Sequence, residues 1–208
     1  MPKIDWNGVE ESTVKEYDRK EIIPGCYMCR VQAVRATWHD SRGNVHTADE
    51  KQCVKIILDI DEGACAGKFS EPYWEGEEKD WGHTLYLSWR TDGAKRMAKH
   101  TISAFDSANA GFDAGAAFDA DKWEFFVGKR IKVYWGGEEY EYNGETRMRV
   151  RPERAITSDE NPKGRVKLLD GKTRELYEDW KERTELAAAR GSSTTTGSTD
   201  YYDDVPFS

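Results

Sequence analysis

Between Tyr140 and Arg151 the chain reads Tyr-Glu-Tyr-Asn-Gly-Glu-Thr-Arg-Met-Arg-Val-Arg, two alternating runs separated by Asn143-Gly144. An Asn-Gly pair accepts the positive φ angles of a tight primed turn, whose twist suits the strands on either side. The two runs are therefore expected to pair antiparallel, in a register set by the turn, with successive side chains on opposite faces. Few segments of this length constrain a fold so much. A chain committed to this hairpin is built around a sheet.

The same period of two recurs upstream. After Pro24-Gly25, the residues Tyr27, Cys29, Val31 and Ala33 alternate with Met28, Arg30 and Gln32, and Val54, Ile56, Leu58 and Ile60 alternate with Lys55, Ile57 and Asp59. A Gly/Glu-rich excursion separates the second run from a third, with Leu85, Leu87 and Trp89 on one face. The period then changes: Met97, Thr101, Ile102 and Phe105 lie at helical spacing behind Asp92, a suitable N-cap. Asp119 to Phe126 reads as a second short helix stopped by Gly128, and Arg130–Trp135 returns to strand. Five strands with a helical insertion between the third and fourth predict a mainly β fold, a five-stranded Greek-key barrel of the oligonucleotide-binding type.

Residues 22–156 form this domain, and the polar stretch 1–21 is an arm leading into it. The extension 157–190 ends in a helix over 173–190, with Leu176, Tyr177, Trp180, Thr184 and Ala187 as its apolar stripe. That stripe is free to pack on the barrel or on another subunit, which leaves a homo-oligomer open. From Gly191 to Thr199 the chain has neither charge nor large apolar groups and reads as a flexible linker to an acidic tip, so 191–208 is expected to be disordered.

Composition narrows the function classes. Eight Trp, ten Tyr and seven Phe in 208 residues suffice for a core, and no apolar run approaches the ~18 residues of a membrane-spanning helix. The start has no secretory pattern, so a cytoplasmic protein without membrane partners is expected. Lys+Arg 31 against Asp+Glu 39 gives a formal charge of −8, which argues against coating duplex DNA by bulk charge but not against a local basic groove. Cys26 and Cys29 have the C-x-x-C spacing of metal and redox sites, yet on a strand they face opposite sides, and Cys53 and Cys65 are twelve positions apart. Four buried free thiols and no metal or other cofactor are expected.

Enzyme signatures are absent: no G-x-x-x-x-G-K-[ST], no G-x-S-x-G and no H-E-x-x-H occurs. A metal-dependent nuclease would draw on Asp59 or Asp61 with Glu77-Glu-Lys79, but Glu75, Glu77, Glu78 and Asp80 crowd a Gly- and Trp-rich segment that reads as an exposed acidic loop. No catalytic activity is expected.

The last residues, Asp200-Tyr-Tyr-Asp-Asp-Val-Pro-Phe-Ser208, place aromatic and apolar groups behind a structureless spacer, where they bury nothing. Their physical use is as bait held at high effective concentration. Asp203, Asp204, Val205, Pro206 and Phe207 resemble the acidic Asp-Asp-Ile-Pro-Phe-like tip of bacterial single-stranded DNA-binding proteins; the departure is Ser208, because that family ends on the Phe. The resemblance implies that the tip recruits replication or recombination proteins and competes with DNA. The body is similar to small phage-encoded proteins with an oligonucleotide-binding fold, through Pro24-Gly25-Cys-Tyr27, Gly67-Lys68, Gly128-Lys129-Arg-Ile131-Lys-Val133 and Tyr142-Asn143-Gly144. This second resemblance covers roughly residues 22–155, lacks the usual spacer between Pro24 and Gly25, and implies single-stranded DNA as the ligand.

Single strands are held by aromatic faces for bases and by Lys/Arg for phosphates. Arg130, Lys132 and Tyr134 share one face of the fourth strand. Arg147, Arg149 and Arg151 form a cationic stripe opposite Met148 and Val150, with Tyr140 and Tyr142 across the turn. Arg30, Arg35 and Trp38 add candidates from the first strand and the turn after it. Against this, Glu138, Glu139, Glu141 and Glu145 could neutralise the arginines and leave an ordinary solvated hairpin. The expected function is sequence-independent binding and protection of single-stranded DNA in replication and recombination, with DNA repair attached. The alternative is a non-catalytic adaptor in a replisome.

Overall fold

In a computed structural model, which describes residues 21–40, 42–70 and 77–192, the chain is mainly β, with one large mixed sheet and a few helices. Alternation decides the first strand, β1 (Gly25–Arg35): Cys29 and Val31 enter the core while Arg30 and Gln32 face out. A small separate sheet of β2 (Thr37–His39) and β3 (Val45–Thr47) follows, then a single turn, α1 (Ala48–Lys51). Next come β4 (Cys53–Ile60) and β5 (Thr84–Ser88), the helices α2 (Asp92–Ala108) and α3 (Ala114–Asp119), and the long hairpin β6 (Arg130–Tyr142) and β7 (Glu145–Ile156). The extension adds β8 (Arg165–Lys167), β9 (Arg174–Leu176) and the helix α4 (Tyr177–Ser192).

The hydrogen-bonded order is β5-β4-β1-β6-β8-β9, with β7 on the other edge of β6. All pairs are antiparallel except β6 with β8. The sheet thus has seven strands where five were expected, and it is not closed: β5 and β7 lie side by side with no ladder between them. Its core gathers Trp135, Phe105, Phe126, Ile56, Leu58 and Ile131, all essentially without solvent contact.

Several local expectations shift. Thr91, not Asp92, caps α2, its Oγ1 accepting the Ala94 N–H at 3.2 Å. The buried face of α2 is Ala98, Thr101, Ala104 and Phe105, and Met97 is turned to solvent. Small residues on that face let the helix lie close to the sheet. The predicted helix over Asp119–Phe126 is instead α3 followed by a 3-10 turn, Trp123–Phe126. Residues 174–176 pair as β9, so α4 begins four residues later than the pattern suggested.

The excursion between β4 and β5 folds back on the sheet through Cys65, Phe69 and Asp80. Asp59 accepts the Phe69 N–H at 2.9 Å and the Ser70 hydroxyl at 2.5 Å. Phe69 stacks on Trp135 at 5.5 Å, and buried Asp80 takes Arg35 at 2.5 Å. Both faces of β4 are therefore covered from Ile56 to Ile60, and Asp80 is not part of an exposed loop as expected.

Candidate nucleic-acid interface

The Asn-Gly turn forms as its sequence requires, with φ of 52° at Asn143 and 77° at Gly144. The register pairs Tyr142 with Glu145, Tyr140 with Arg147, Glu138 with Arg149 and Gly136 with Arg151. These residues share one face of the hairpin, so the predicted stripe exists. β1 pairs with β6 only as far as Trp135, and β8 takes over at Gly137 and Glu138. Beyond Glu138 the arm has no ladder partner but its own second strand.

On this face the cations and rings are arranged against one another. The Arg147 guanidinium lies 4.8 Å from the centre of the Tyr142 ring and that of Arg149 lies 5.6 Å from Tyr140. Arg147 donates to Glu145 at 2.8 Å, and Arg149 donates twice to Glu138 Oε2, at 2.8 and 2.6 Å. The Arg149 hydrogen bonds hold the Glu138 carboxyl below its ordinary range. The expected neutralisation by acids is thus real for Glu138 and Glu145, while Glu139 belongs to the opposite face. Exposed pairs of this kind are worth only ~0–1 kcal/mol, so a phosphate can exchange for the carboxylate at small cost. Within the hairpin three arginines face Glu138 and Glu145 here, and Lys167 of β8 reaches Glu138 as a further cation at 3.9 Å.

The stripe continues across the unjoined seam onto β5. Tyr86 is the most exposed aromatic side chain among the described residues, at 58%. It lies close enough to Arg151 for each to perturb the other: burial raises the Tyr86 phenol, and the Arg151 charge opposes that rise. Tyr86 pairs with Lys55 on β4, whose ammonium stands 5.3 Å from the centre of the Trp38 ring. Sequence reasoning missed Tyr86 and Lys55. The signal available was that Tyr86 is the outward aromatic between Leu85 and Leu87.

Other predicted contacts lie elsewhere or are enclosed. Tyr134 is only 5% exposed, and its hydroxyl accepts the Arg165 N–H at 3.0 Å, so it offers no open ring face. Trp38 is likewise buried, beneath Lys55 and beside His46. Lys132 donates to the carbonyls of Ser158 and Glu160 at 3.1 and 2.5 Å. Arg30 and Arg130 converge on Asp61, at 2.9 and 2.8 Å, and Arg130 also pairs with Glu62. Arg130 starts the strand that Tyr142 ends, roughly 40 Å away at ~3.3 Å per residue. Arg35 is committed to Asp80. The side chains that the structure brings together as a candidate interface are therefore Tyr140, Tyr142, Arg147, Arg149, Arg151, Tyr86 and Lys55.

Of the acids that metal chemistry would draw on, Asp59 caps the excursion and Asp61 bridges two arginines. No group of three His, Cys, Asp or Glu residues able to hold a metal occurs among the described residues. The Cys29 thiol is buried, which raises its pKa to about 12, while Cys26 is half-buried and donates to the Pro162 carbonyl. No helix among the described residues is long and apolar enough to cross a membrane. The tip, Asp203 to Phe207, lies outside the described residues. No family model matches the chain, and no curated protein matches it.

Proposed function

We propose that this protein is a non-catalytic single-stranded DNA-binding protein whose β domain is an oligonucleotide-binding barrel, open along one seam. The strand order supports that barrel: β5, β4, β1, β6 and β7 follow one another around the sheet, β7 returns beside β5, and α2 falls between the third and fourth long strands. The observation that carries the function is the hairpin face, where two tyrosines and three arginines alternate on an arm that projects beyond the rest of the sheet. Aromatic faces take any base and arginines take phosphates, so binding on this face has little sequence preference. The acidic tip recruits replication or recombination proteins and competes with DNA for the basic face, in the cytoplasm of the cell that harbours it.

Titration with oligo-dT of a few tens of bases, read by tryptophan fluorescence at low and moderate salt beside the matching duplex, tests this. Saturable quenching by the single strand alone, weakened by salt, is the expected result. Arg147→Glu with Arg149→Glu abolishes it. No response from folded protein to either nucleic acid would sink the proposal.

One observation favours the second reading, a protein-interaction adaptor: Arg147 and Arg149 are already paired within the hairpin. Under that reading the double charge reversal leaves partner capture through the tip intact, and oligo-dT produces no signal.

A further inference from the structure

The far half of the hairpin has a front, which carries the arginines and tyrosines, and a back. Glu139, Met148 and Val150 lie on the back, opposite in parity to Glu138, Tyr140 and Arg149. A two-stranded ribbon standing alone is marginal in water. Here the back is held. Gly137 leaves no room for a side chain, because Met148, Pro24 and Val166 come within 2.9–3.0 Å of where a Cβ would stand. Two residues further out, the Glu139 side chain is 5% exposed, although it is a carboxylate at the edge of the fold.

Its oxygens are satisfied by the extension alone. Oε1 accepts Trp180 Nε1–H and Arg183 Nη2–H, both at 2.8 Å, and Oε2 accepts the Leu169 N–H at 3.0 Å. Arg183 also donates to Glu175 in β9 at 2.7 Å, which ties the helix to the short strands beneath it. A buried carboxylate with three donors is costly to leave unsatisfied, so the contact resists separation. Glu139 stands between Glu138, which holds Arg149, and Tyr140, which lies under the same guanidinium. Any rotation of the arm about Glu139 moves the whole cation–ring array.

We infer that Glu139, clamped by Trp180 and Arg183 of α4, is a positioning residue for single-stranded DNA binding, and that the extension acts as a buttress which pre-orders the hairpin face without touching DNA. The inference rests on the proposed function. Its energetic basis is that an arm already ordered loses less freedom on binding.

The test uses the full chain. Glu139→Gln, and separately Trp180→Phe, which leaves the hairpin sequence untouched, are expected to weaken oligo-dT binding about tenfold. The salt slope stays unchanged, because the number of phosphate contacts is the same. Amide exchange should quicken in 139–148 and not in β1 or β4. A staple then discriminates between roles. Glu141 and Thr146 face each other one pair below the turn, where antiparallel geometry suits a disulfide. Glu141→Cys with Thr146→Cys in the Glu139→Gln background is expected to restore affinity when oxidised and lose it again with dithiothreitol, which a merely stabilising role for Glu139 would not produce. If Glu139→Gln binds as tightly as wild type while its hairpin exchanges faster, the inference fails and the function stands. If wild type itself ignores oligo-dT, both fall.

Discussion

Tyr134 and Tyr142 sit on the same face of the same strand and meet opposite fates. Tyr134 lies where the extension covers β6, accepts the Arg165 N–H and has Arg154 over its ring at 5.7 Å; Tyr142 lies past that cover and is half exposed. Tyr142→Ala should weaken oligo-dT binding by ~1–3 kcal/mol with little change in Tm. Tyr134→Ala should cost about 3 kcal/mol of stability and leave the affinity of the folded protein intact. The opposite pattern would mean that the base platform lies at the centre of β6. Glu139 carries a pH prediction. Burial alone would raise its carboxyl, but the bonds from Arg183, Trp180 and Leu169 outweigh burial and hold it below its ordinary value of 4.5. A depressed folded-state value gives stability that is fully present above the unfolded value and lost as pH falls through the folded one. The Tm gap between wild type and Glu139→Gln should accordingly shrink as the pH falls below that ordinary value. A gap independent of pH would show that the carboxylate is not the group that matters.

At the scale of elements, the hairpin turn was the most legible feature, because Asn-Gly chemistry is local. Gly144 at φ 77° would hold a β-branched residue in the left-handed region, at a cost of roughly 1–2 kcal/mol. Gly144→Val is therefore expected to fray the arm, seen as faster amide exchange confined to 138–150 and a weaker oligo-dT complex. Global unfolding instead would mean that the turn nucleates the sheet. Helix α2 was also legible in its extent and in most of its face: Thr101 and Phe105 are buried and Ile102 packs on the core, but Met97 is exposed and Ala98 and Ala104 take inward positions. Periodicity weights large residues, while close packing against a sheet selects small ones. The polar composition of the excursion points to an exposed acidic loop; Asp80 is instead buried and held by Arg35, a partner 45 residues away in the chain.

Across the whole molecule, charge is divided between a domain with a weakly cationic face and an acidic end. Of the last nine residues, Asp200, Asp203 and Asp204 are acidic and none is basic. Removal of 191–208 should tighten oligo-dT binding, most at low salt, where attraction between tip and groove is least screened. Equal affinity of full-length and truncated protein at every salt concentration would remove the competition and leave recruitment as the tip's role. The basic residues expected to act together are also divided at this scale, since Arg30 and Arg130 gather around Asp61 at one end of β6 and Arg147 and Arg149 flank Tyr140 at the other.

Sequence alone determined what depends on neighbours in the chain: the Asn143-Gly144 turn, the alternation that puts Cys29, Val31, Ile56 and Leu58 inside, the extent of α2, and the parity that sets Arg147, Arg149 and Arg151 on one face with Tyr140 and Tyr142. Only the tertiary structure decided which of those groups are open to a ligand. It covered Tyr134 and Trp38, gathered Arg30 and Arg130 around Asp61 away from the hairpin, bound Arg35 to buried Asp80, left β5 and β7 unjoined, exposed Tyr86, and set α4 against Glu139. The division has one physical reason. Turn geometry and side-chain parity are fixed by bonded neighbours, whereas exposure and ion pairing depend on what comes to lie alongside from tens of residues away.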